Sequence, residues 1–258
     1  MAKFYRSRKI RNGFIVGDAA HCFPSTGGLG INTGIGDVHN LVWKIQAVEN
    51  KWAPESLLDT YETERIPIAI ANSTQSSRNE TKIHRLGHAV FGEDDKSVEQ
   101  RMAEATARQE IQDAIMDNYE HFDSLDLQLG YVYGRPRDWS KSVSGFVPTS
   151  VPGARLPHAW VMFEGREIST LDTAKGNGFT LYTSPDFVAI QKLEIDRVPI
   201  EVVQIGRTIT DEDGEWTRLM GLQEGPAGVL VRPDQHILAK VRSIEEIVSI
   251  LRAFLATS

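Results

Sequence analysis

The amino-acid sequence predicts an α/β protein in which a strand, a glycine-rich loop and helices precede a smaller α/β domain. A short apolar run ends at Gly17 and Asp18, and three closely spaced glycines, Gly27, Gly28 and Gly30, follow it. Helical periodicity dominates residues 34–125, whereas short β-branched runs alternate with turns and helices beyond about residue 148. That order places a mainly helical first part before a second part in which helices pack on a sheet.

The first predicted elements are one buried strand and two helices. Residues 13–18 are apolar and β-branched, which is typical of a short strand. A helix is expected from about Gly34, because five apolar residues then recur on one helical face: Ile35, Val38, Leu41, Val42 and Ile45. A second helix is expected to start near Pro54, with a kink at Pro67.

The remaining elements follow from composition. Residues 80–125 are polar and helix-prone, and the segment after them is rich in Gly, Pro and Ser and predicts a linker. Strands are expected in AWVMFEG, FTLYTS, VPIEVVQIG and AGVLVRPDQHILAKV, and an amphipathic helix in SIEEIVSILRAFLATS. Within the fourth run, Arg232–His236 is interpreted as a hairpin turn and not as a site.

Composition excludes several classes of function. The 258 residues are 41% hydrophobic, enough to bury a real core, and the net charge of −7 argues against nucleic-acid binding. No apolar run reaches the roughly 18 residues of a membrane span, and the basic N-terminal segment has no apolar core of a secretory signal. The single cysteine, Cys22, fits a reducing compartment, so we expect a cytoplasmic protein.

The glycine-rich loop has the chemistry of a ligand site. Asp18 at the end of a strand can accept hydrogen bonds from a sugar or polyol hydroxyl. Gly27, Gly28 and Gly30 let backbone approach a flat or anionic ligand, and the following helix points its positive N-terminal end at the loop. The alternative is that such a turn has no ligand. Thr33 stands where a dinucleotide fingerprint needs its third glycine.

The segment GDAAHCFPSTGGLGINTGIGDVHNLVWKI closely resembles the second flavin motif of FAD-dependent aromatic hydroxylases of the phenol-hydroxylase group. YETERIPIA resembles that family's next helix, and the last 110 or so residues resemble its thioredoxin-like extension. The positions that match the motif are Gly17, Asp18, Ala19, Ala20, His21, Pro24, Gly27, Gly28, Gly30, Asn32, Asp37, Asn40, Leu41, Trp43 and Lys44.

The resemblance implies FAD as cofactor, NAD(P)H as reductant and a small phenolic or aromatic substrate. It implies that Asp18 binds a ribityl hydroxyl and that Pro24 and its neighbours, with the turn at Gly27 and Gly28, lie along the isoalloxazine edge. The backbone of Gly30, Ile31 and Asn32 would contact the pyrimidine end of the flavin. Ser25 stands where many members of that family have a second proline, which is expected to loosen the turn without abolishing it. No catalytic residue is assigned.

Other residues of the motif have structural interpretations. His21 is expected to bond within the turn instead of acting as a base, and Asp37 to be an early-helix acid favoured by the helix dipole. Trp43 is expected to pack and Lys44 to lie at the surface. Cys22 is expected to be a small buried residue.

Metal and thiol chemistry are not expected. His84 and His88 are spaced as zinc ligands on one helix face, but no third ligand is evident. The thioredoxin-like domain has no cysteine, which excludes thiol redox chemistry there and leaves packing and oligomer contacts as its expected role.

Three segments are expected: residues 1–80 as the C-terminal part of an FAD-binding domain, 81–147 as a helical connector and linker, and 148–258 as the thioredoxin-like domain. The family's first flavin motif, which holds the FAD pyrophosphate, has no counterpart here. The chain is therefore expected to be truncated, part of a split enzyme, or a relative that left redox chemistry, and to bind FAD poorly alone. Expected partners are a second copy or an N-terminal partner chain, and the alternative function is a non-catalytic assembly module.

Overall fold

The computed structural model describes residues 13–92, 96–187, 192–223 and 225–256. The basic N-terminal segment, in which no secretory signal is expected, falls almost entirely on residues 1–12 and so lies outside the described residues. The described residues form two compact units. Unit 1 contains residues 13–37, 65–92, 96–129 and 137–146, and unit 2 contains residues 38–64, 130–136, 147–187, 192–223 and 225–256. These units are discontinuous in sequence, and the three expected consecutive segments stay a prediction.

Helices dominate the first half of the chain. Their bounds are α1 Leu29–Glu49, α2 Thr60–Phe91, α3 Val98–Ala103, α4 Ala105–Asp117, α5 Tyr119–Phe122 and α6 Leu125–Leu129. The second predicted helix starts later than expected, because Pro54 precedes a 3₁₀ turn, Glu55–Asp59, before α2 begins. α2 continues as one helix through Pro67.

The predicted strand at residues 13–18 is wrong. Residues 13–16 are extended only in part, with a single β-bridge at Phe14, and Gly17–Ala19 forms a 3₁₀ turn. Gly17 has φ +57°, a left-handed conformation that a strand does not use, and its N–H donates to the Asp37 carboxylate instead of to a neighbouring strand. Asp18 is therefore presented by a turn and not by a strand end.

Helix α1 starts about five residues before its predicted start and buries a different face. Leu41 is buried, but the other members of the expected apolar stripe are exposed. Beside Trp43 and Ala47, the buried positions of α1 include four polar or charged residues: Thr33, Asp37, Asn40 and Lys44. Apolar periodicity selected the wrong face because the charged residues of α1 have buried partners of opposite charge.

Unit 2 contains a five-stranded sheet and a separate two-stranded hairpin. The strands are β1 Trp160–Phe163, β2 Arg166–Ser169, β3 Phe179–Thr183, β4 Lys192–Ile195, β5 Val198–Gln204, β6 Gly228–Val231 and β7 Ile237–Val241. The sheet order is β4-β5-β3-β6-β7. β3 and β5 are parallel, whereas the other neighbours are antiparallel. The helices of this region are α7 Thr170–Thr173, α8 Glu215–Met220 and α9 Ile244–Ala256.

The central strand β3 separates two apolar clusters because successive side chains point to opposite faces of the sheet. Phe179 and Leu181 join a cluster with Trp43 of α1 and Ile247 of α9. Tyr182 joins the second cluster, which includes Trp216 of α8. The predicted strands, the hairpin turn after β6 and the closing helix are present, and the predicted α/β class is confirmed.

Candidate functional site

The sequence-predicted site residues lie close together along the chain in unit 1. Asp18 is exposed in the 3₁₀ turn, and Pro24, Gly27 and Gly28 belong to the glycine turn, defined here as residues 23–28. Gly30, Ile31 and Asn32 were expected in a loop but occupy the first turn of α1. This places backbone N–H groups of a helix start, which have no acceptor within the helix, among the predicted cofactor contacts.

The two glycines of the glycine turn have different surroundings, although both have a positive φ. Gly27 has φ +89°, and a Cβ atom there would lie 2.8 Å from Nδ2 of Asn79, so the turn approaches α2 closely. Gly28 has φ +63°, and among the described residues no atom lies within 4 Å of where its Cβ atom would be. Space beside the Gly28 backbone is therefore open, as a cradle for a planar ligand requires.

The first turn of α1 is adjacent to both the open space and a carboxylate. Leu29 anchors the helix start in an apolar cluster with Ala71 and Leu127. Asn32 Nδ2 donates to the Gly28 carbonyl over 2.9 Å. A Cβ atom on Gly30 would lie 4.0 Å from Asp18 Oδ1, so the Asp18 carboxylate lies beside this turn. Ile31 is 75% exposed, so the predicted contact surface is accessible.

A buried ion-pair network on α1 and α2 holds Gly17 and His21, which precede the glycine turn in the chain. Asp37 Oδ2 accepts hydrogen bonds from His21 Nε2 over 2.7 Å and from the Gly17 N–H over 3.1 Å. Asp37 Oδ1 accepts from Arg65 Nε over 2.9 Å, and Arg65 also donates to the Thr33 carbonyl. His21 thus forms a structural hydrogen bond with Asp37. Asp37 itself is a buried acceptor for three groups and not merely an early-helix acid favoured by the helix dipole.

Further contacts of the glycine turn come from distant parts of unit 1. Thr26 Oγ1 donates to the Ser76 carbonyl over 2.6 Å, and Ser76 Oγ donates to the Thr26 carbonyl over 2.9 Å. The Gly27 N–H donates to Nε2 of His121 over 3.1 Å. The sequence contains no signal for these contacts, because neither Ser76 nor His121 belongs to a motif.

Two predicted environments are wrong. Cys22 is exposed and not buried, because the turn directs it outwards while its neighbour His21 faces Asp37. Lys44 was expected at the surface, but it is fully buried in unit 2. The reason is that two acids and an amide surround its ammonium group there.

The buried charges of unit 2 form a single hydrogen-bonded cluster. Arg232 forms paired hydrogen bonds with the Glu64 carboxylate, at 2.6 and 2.9 Å, and with the Asp234 carboxylate, at 2.6 and 3.0 Å. Lys44 Nζ donates to Glu64 over 2.8 Å and to Asn40 over 2.9 Å. Lys44, Arg232 and Asp234 are buried and Glu64 is nearly so, and each charge has a partner of opposite sign, so we assign the cluster to stabilising the fold.

The pKa values in this cluster reflect burial opposed by pairing. Burial lowers the pKa of Lys44 to about 8, although Glu64 acts in the opposite direction. Burial acts to raise the pKa of Glu64, but the cations of Arg232 and Lys44 outweigh it and bring the pKa to about 2. Burial also acts to raise the pKa of Asp234, and Arg232 and His236 hold that pKa well below its usual range.

Two other kinds of site are not found in the described part of the chain. Among the residues that the structure describes, no three His, Cys, Asp or Glu side chains converge as metal ligands would. No helix within the described ranges has both the length and the apolar character that crossing a membrane requires.

Comparison with known proteins shows two family models in sequence. Residues 1–76 match the model described as FAD binding domain, and residues 149–256 match the model described as aromatic-ring hydroxylase, C-terminal. The first match contains every predicted cofactor-binding residue. The second covers the whole sheet of unit 2.

Curated relatives that are named as monooxygenases match most of the chain. Tetracenomycin A2 monooxygenase-dioxygenase of Streptomyces glaucescens is 32% identical over 252 residues, which is 95% of this chain and 40% of the relative. Phenol 2-monooxygenase of Pseudomonas sp. (strain EST1001) is 32% identical over 257 residues, which is 88% of this chain and 42% of the relative. The chain thus spans less than half the length of these relatives.

Solved structures agree with this. The flavin-dependent monooxygenase PieE, in complex with FAD and substrate, superposes with a TM-score of 0.83 at 27% identity, over 99% of this chain and 49% of PieE. RebC with reduced flavin gives a TM-score of 0.73 at 27% identity, over 99% of this chain and 46% of RebC. With both models matched in order and relatives of one kind along most of its length, the chain belongs to the family of FAD-dependent aromatic-ring hydroxylases.

Proposed function

We propose that the chain forms part of an FAD-dependent monooxygenase that hydroxylates a phenolic or other small aromatic substrate, using NAD(P)H and O₂. The observation that carries the proposal is the open, backbone-lined space at Gly28, with the Asp18 carboxylate and the start of α1 beside it. The residues present fit FAD, because its polyol needs a hydrogen-bond acceptor and its ring needs a surface without side chains. When bound, FAD supplies the redox and oxygen chemistry, which the protein side chains lack.

In this proposal, residues of the chain bind FAD and orient its ring. The exposed Asp18 carboxylate accepts hydrogen bonds from ribityl hydroxyls. Gly27 and Gly28 keep side chains out of the ring's place, with Pro24 along its edge. The backbone N–H groups at Gly30, Ile31 and Asn32, at the positive end of a 21-residue helix, favour negative charge on the pyrimidine end of the flavin.

The substrate class, reductant and compartment are proposals. The relatives named phenol 2-monooxygenase and 2,4-dichlorophenol 6-monooxygenase support a phenolic substrate. NAD(P)H as reductant rests on the family resemblance, and a reducing cytoplasm on the single cysteine. In unit 2, the order β5-β3-β6-β7, with one parallel and two antiparallel pairings, supports a thioredoxin-like interpretation of residues 148–258.

A larger side chain at position 28 tests whether the open space beside Gly28 holds the flavin ring. We expect Gly28→Val to weaken FAD binding about tenfold or more, because the side chain occupies the open space, and tenfold corresponds to about 1.4 kcal/mol. Binding is measured by titrating FAD to high concentration while following the amide resonances of Gly30, Ile31 and Asn32, since this detects weak complexes. The matched control is Gly165→Val in unit 2, a glycine with φ +75° that lies outside the glycine turn, so the substitution introduces a similar backbone strain without changing the turn.

Two outcomes would contradict the cradle. FAD that perturbs no amide of the α1 start would show that the turn is not a flavin site. Equal affinities of wild type and Gly28→Val would show that the open space is not where the ring lies. Asp18→Asn provides a second reading, because an amide cannot replace a charged acceptor fully and weaker binding is expected.

An assembly partner is the second part of the proposal, because α1 exposes apolar residues at helical spacing. Ile31, Ile35, Val38, Val42 and Ile45 follow one another along one face of this helix, and each is at least one-third exposed. Exposed apolar surface of this kind marks an interaction site. We propose that a polypeptide with the remainder of the FAD-binding domain covers it, since the chain spans 40% of its tetracenomycin relative. A non-catalytic module that self-associates through this face is the alternative.

Co-expression with the part of PieE that this chain does not cover tests the partner. We expect the two polypeptides to co-purify and to bind FAD more tightly than the chain alone. Ile35→Glu with Val42→Glu should abolish co-purification while leaving the thermal unfolding temperature unchanged. Ile70→Glu, an exposed apolar position on α2, is the control and should have no effect. A stable homodimer that the same double substitution disrupts would favour the alternative, and no association of either kind would contradict both.

A further inference from the structure

His121 contacts the glycine turn at its most constrained residue. Its Nε2 atom accepts a hydrogen bond from the Gly27 N–H over 3.1 Å, although the two residues are 94 positions apart. His121 lies in the short segment α5, which belongs to unit 1 together with the turn. Its ring stacks on Phe122 with the ring centroids 5.0 Å apart. The contact therefore fixes the ring against the backbone of the candidate cofactor site.

The direction of this hydrogen bond specifies a protonation state. A backbone N–H can only donate, so Nε2 of His121 must accept and carries no proton. The neutral ring then has its proton on Nδ1, which is buried and has no hydrogen-bond partner among the described residues. Adding a second proton would place an N–H of the imidazolium opposite the N–H of Gly27. Two facing donors repel, so protonation breaks the contact.

The other anchors of the turn do not respond to a proton in this way. Thr26 and Ser76 exchange two hydrogen bonds through hydroxyl and carbonyl groups. The Gly28 N–H donates to the Ser25 carbonyl over 3.1 Å. None of residues 23–28 has a titratable side chain. Among the contacts between described residues named here, the Gly27–His121 hydrogen bond is therefore the one that a change of pH acts on directly.

The charges around α5 come from three elements. On the segment itself and just after it are Glu120 and Asp123, the latter accepting a hydrogen bond from the Tyr119 hydroxyl. α2 contributes Lys82, 3.2 Å from Glu120, and α4 contributes Asp117, 3.5 Å from Lys82. Arg85 of α2 also pairs with Asp117. These charged groups have partners among themselves or in Tyr119. The contact by which the charge state of His121 affects the glycine turn is therefore the hydrogen bond to the Gly27 N–H.

We propose that His121 is a positioning residue that holds the glycine turn in its cofactor-ready shape while its ring is neutral and releases Gly27 when the ring is protonated. The cofactor part of this inference rests on the proposed function. The hydrogen bond and its dependence on ring protonation do not. Acidification is expected to loosen the Gly27 peptide first and to weaken FAD binding as a consequence.

The first experiment needs no cofactor. In the ¹⁵N-labelled full chain, the ring resonances of His121 are followed as the pH is lowered, because they distinguish a neutral ring with its proton on Nδ1 from the imidazolium form. The protection factor of the Gly27 amide, corrected for intrinsic exchange, should fall about tenfold along the same titration, which is the worth of one hydrogen bond. His121→Gln keeps an acceptor oxygen without a titratable ring, so its Gly27 protection should not depend on pH.

His121→Leu should lose Gly27 protection at every pH, and thermal unfolding confirms that the variant is folded. His84→Gln replaces an exposed histidine of α2 and should keep the wild-type pH profile. The inference is overturned if Gly27 protection in His121→Leu equals that of wild type. It is also overturned if the neutral ring carries its proton on Nε2.

The second experiment adds FAD at about pH 8 and about pH 5. Wild type should lose affinity about tenfold on acidification, and His121→Gln should lose less. FAD binding that is insensitive to pH in the wild type would overturn the positioning role. If FAD binds at neither pH, the proposed function fails, while the Gly27 amide still reports on the hydrogen bond by itself.

Discussion

Asp37→Ala is expected to lower the free energy of unfolding of unit 1 by about 3–5 kcal/mol, which is typical when one partner of a buried ion pair is removed. Asp37 is fully buried and accepts from Arg65, His21 and the Gly17 N–H. Its loss leaves the Arg65 guanidinium without this counter-charge in a site where water does not replace it. Urea unfolding followed by circular dichroism measures the change.

Two further variants sharpen this result. Asp37→Asn keeps the shape and one acceptor oxygen but loses the charge, so a smaller destabilisation is expected. Asp113→Ala removes an exposed acid on α4 and should change the free energy by no more than about 0.5 kcal/mol. If Asp37→Ala were as mild as Asp113→Ala, the network would not be what stabilises unit 1.

Local sequence signals predicted much of the fold. The strands of unit 2 consist of β-branched and aromatic runs, so β3, β5, β6 and β7 lie where the sequence places them. The closing helix α9 follows from its apolar spacing, and Ile247 and Leu251 are buried as that spacing requires. These elements share one property, which is that local propensity and burial favour the same structure.

The errors occurred where tertiary contacts oppose local patterns. Residues 13–18 have strand propensity, but Gly17 adopts a left-handed conformation to donate to Asp37, twenty positions later. α1 buries Lys44 against Glu64 and leaves Val42 exposed, which hydropathy alone cannot predict. In the first case a hydrogen bond to a buried carboxylate, and in the second a buried ion pair, outweighs the preference of the local sequence.

The candidate site shows the same division. The motif singles out Asp18 and Gly28, because the requirement for bare backbone is visible as glycine, and their contact with a cofactor stays a prediction. It did not predict that α1 starts at Leu29. The support of the turn could not be predicted, because Ser76 and His121 are ordinary polar residues in helices. Their role depends on a fold that brings them to the turn.

Arg232→Met is the second substitution with a large expected effect, with a loss of about 3–5 kcal/mol in the stability of unit 2. Arg232 is buried between Glu64 and Asp234 and forms paired hydrogen bonds with each. Removing it leaves the buried Asp234 and the largely buried Glu64 close together without the cation that pairs with both. Lys44→Met is expected to cost less, about 1–2 kcal/mol, because burial of the ammonium group is itself unfavourable, as its lowered pKa shows.

The pH dependence of stability distinguishes the contribution of Glu64 from that of Lys44. The pKa of Glu64 in the folded protein, about 2, lies below its ordinary 4.5, so its contribution to stability is present above pH 4.5 and is lost as the pH falls towards 2. The pKa of Lys44 is about 8 instead of 10.5, so the unfolded chain binds more protons between these values and stability rises with pH there. Lys44→Met should remove the alkaline rise and retain the acid loss. Thermal unfolding from acid to alkaline pH measures both slopes, and an alkaline rise that persists in Lys44→Met would show that Lys44 is not its source.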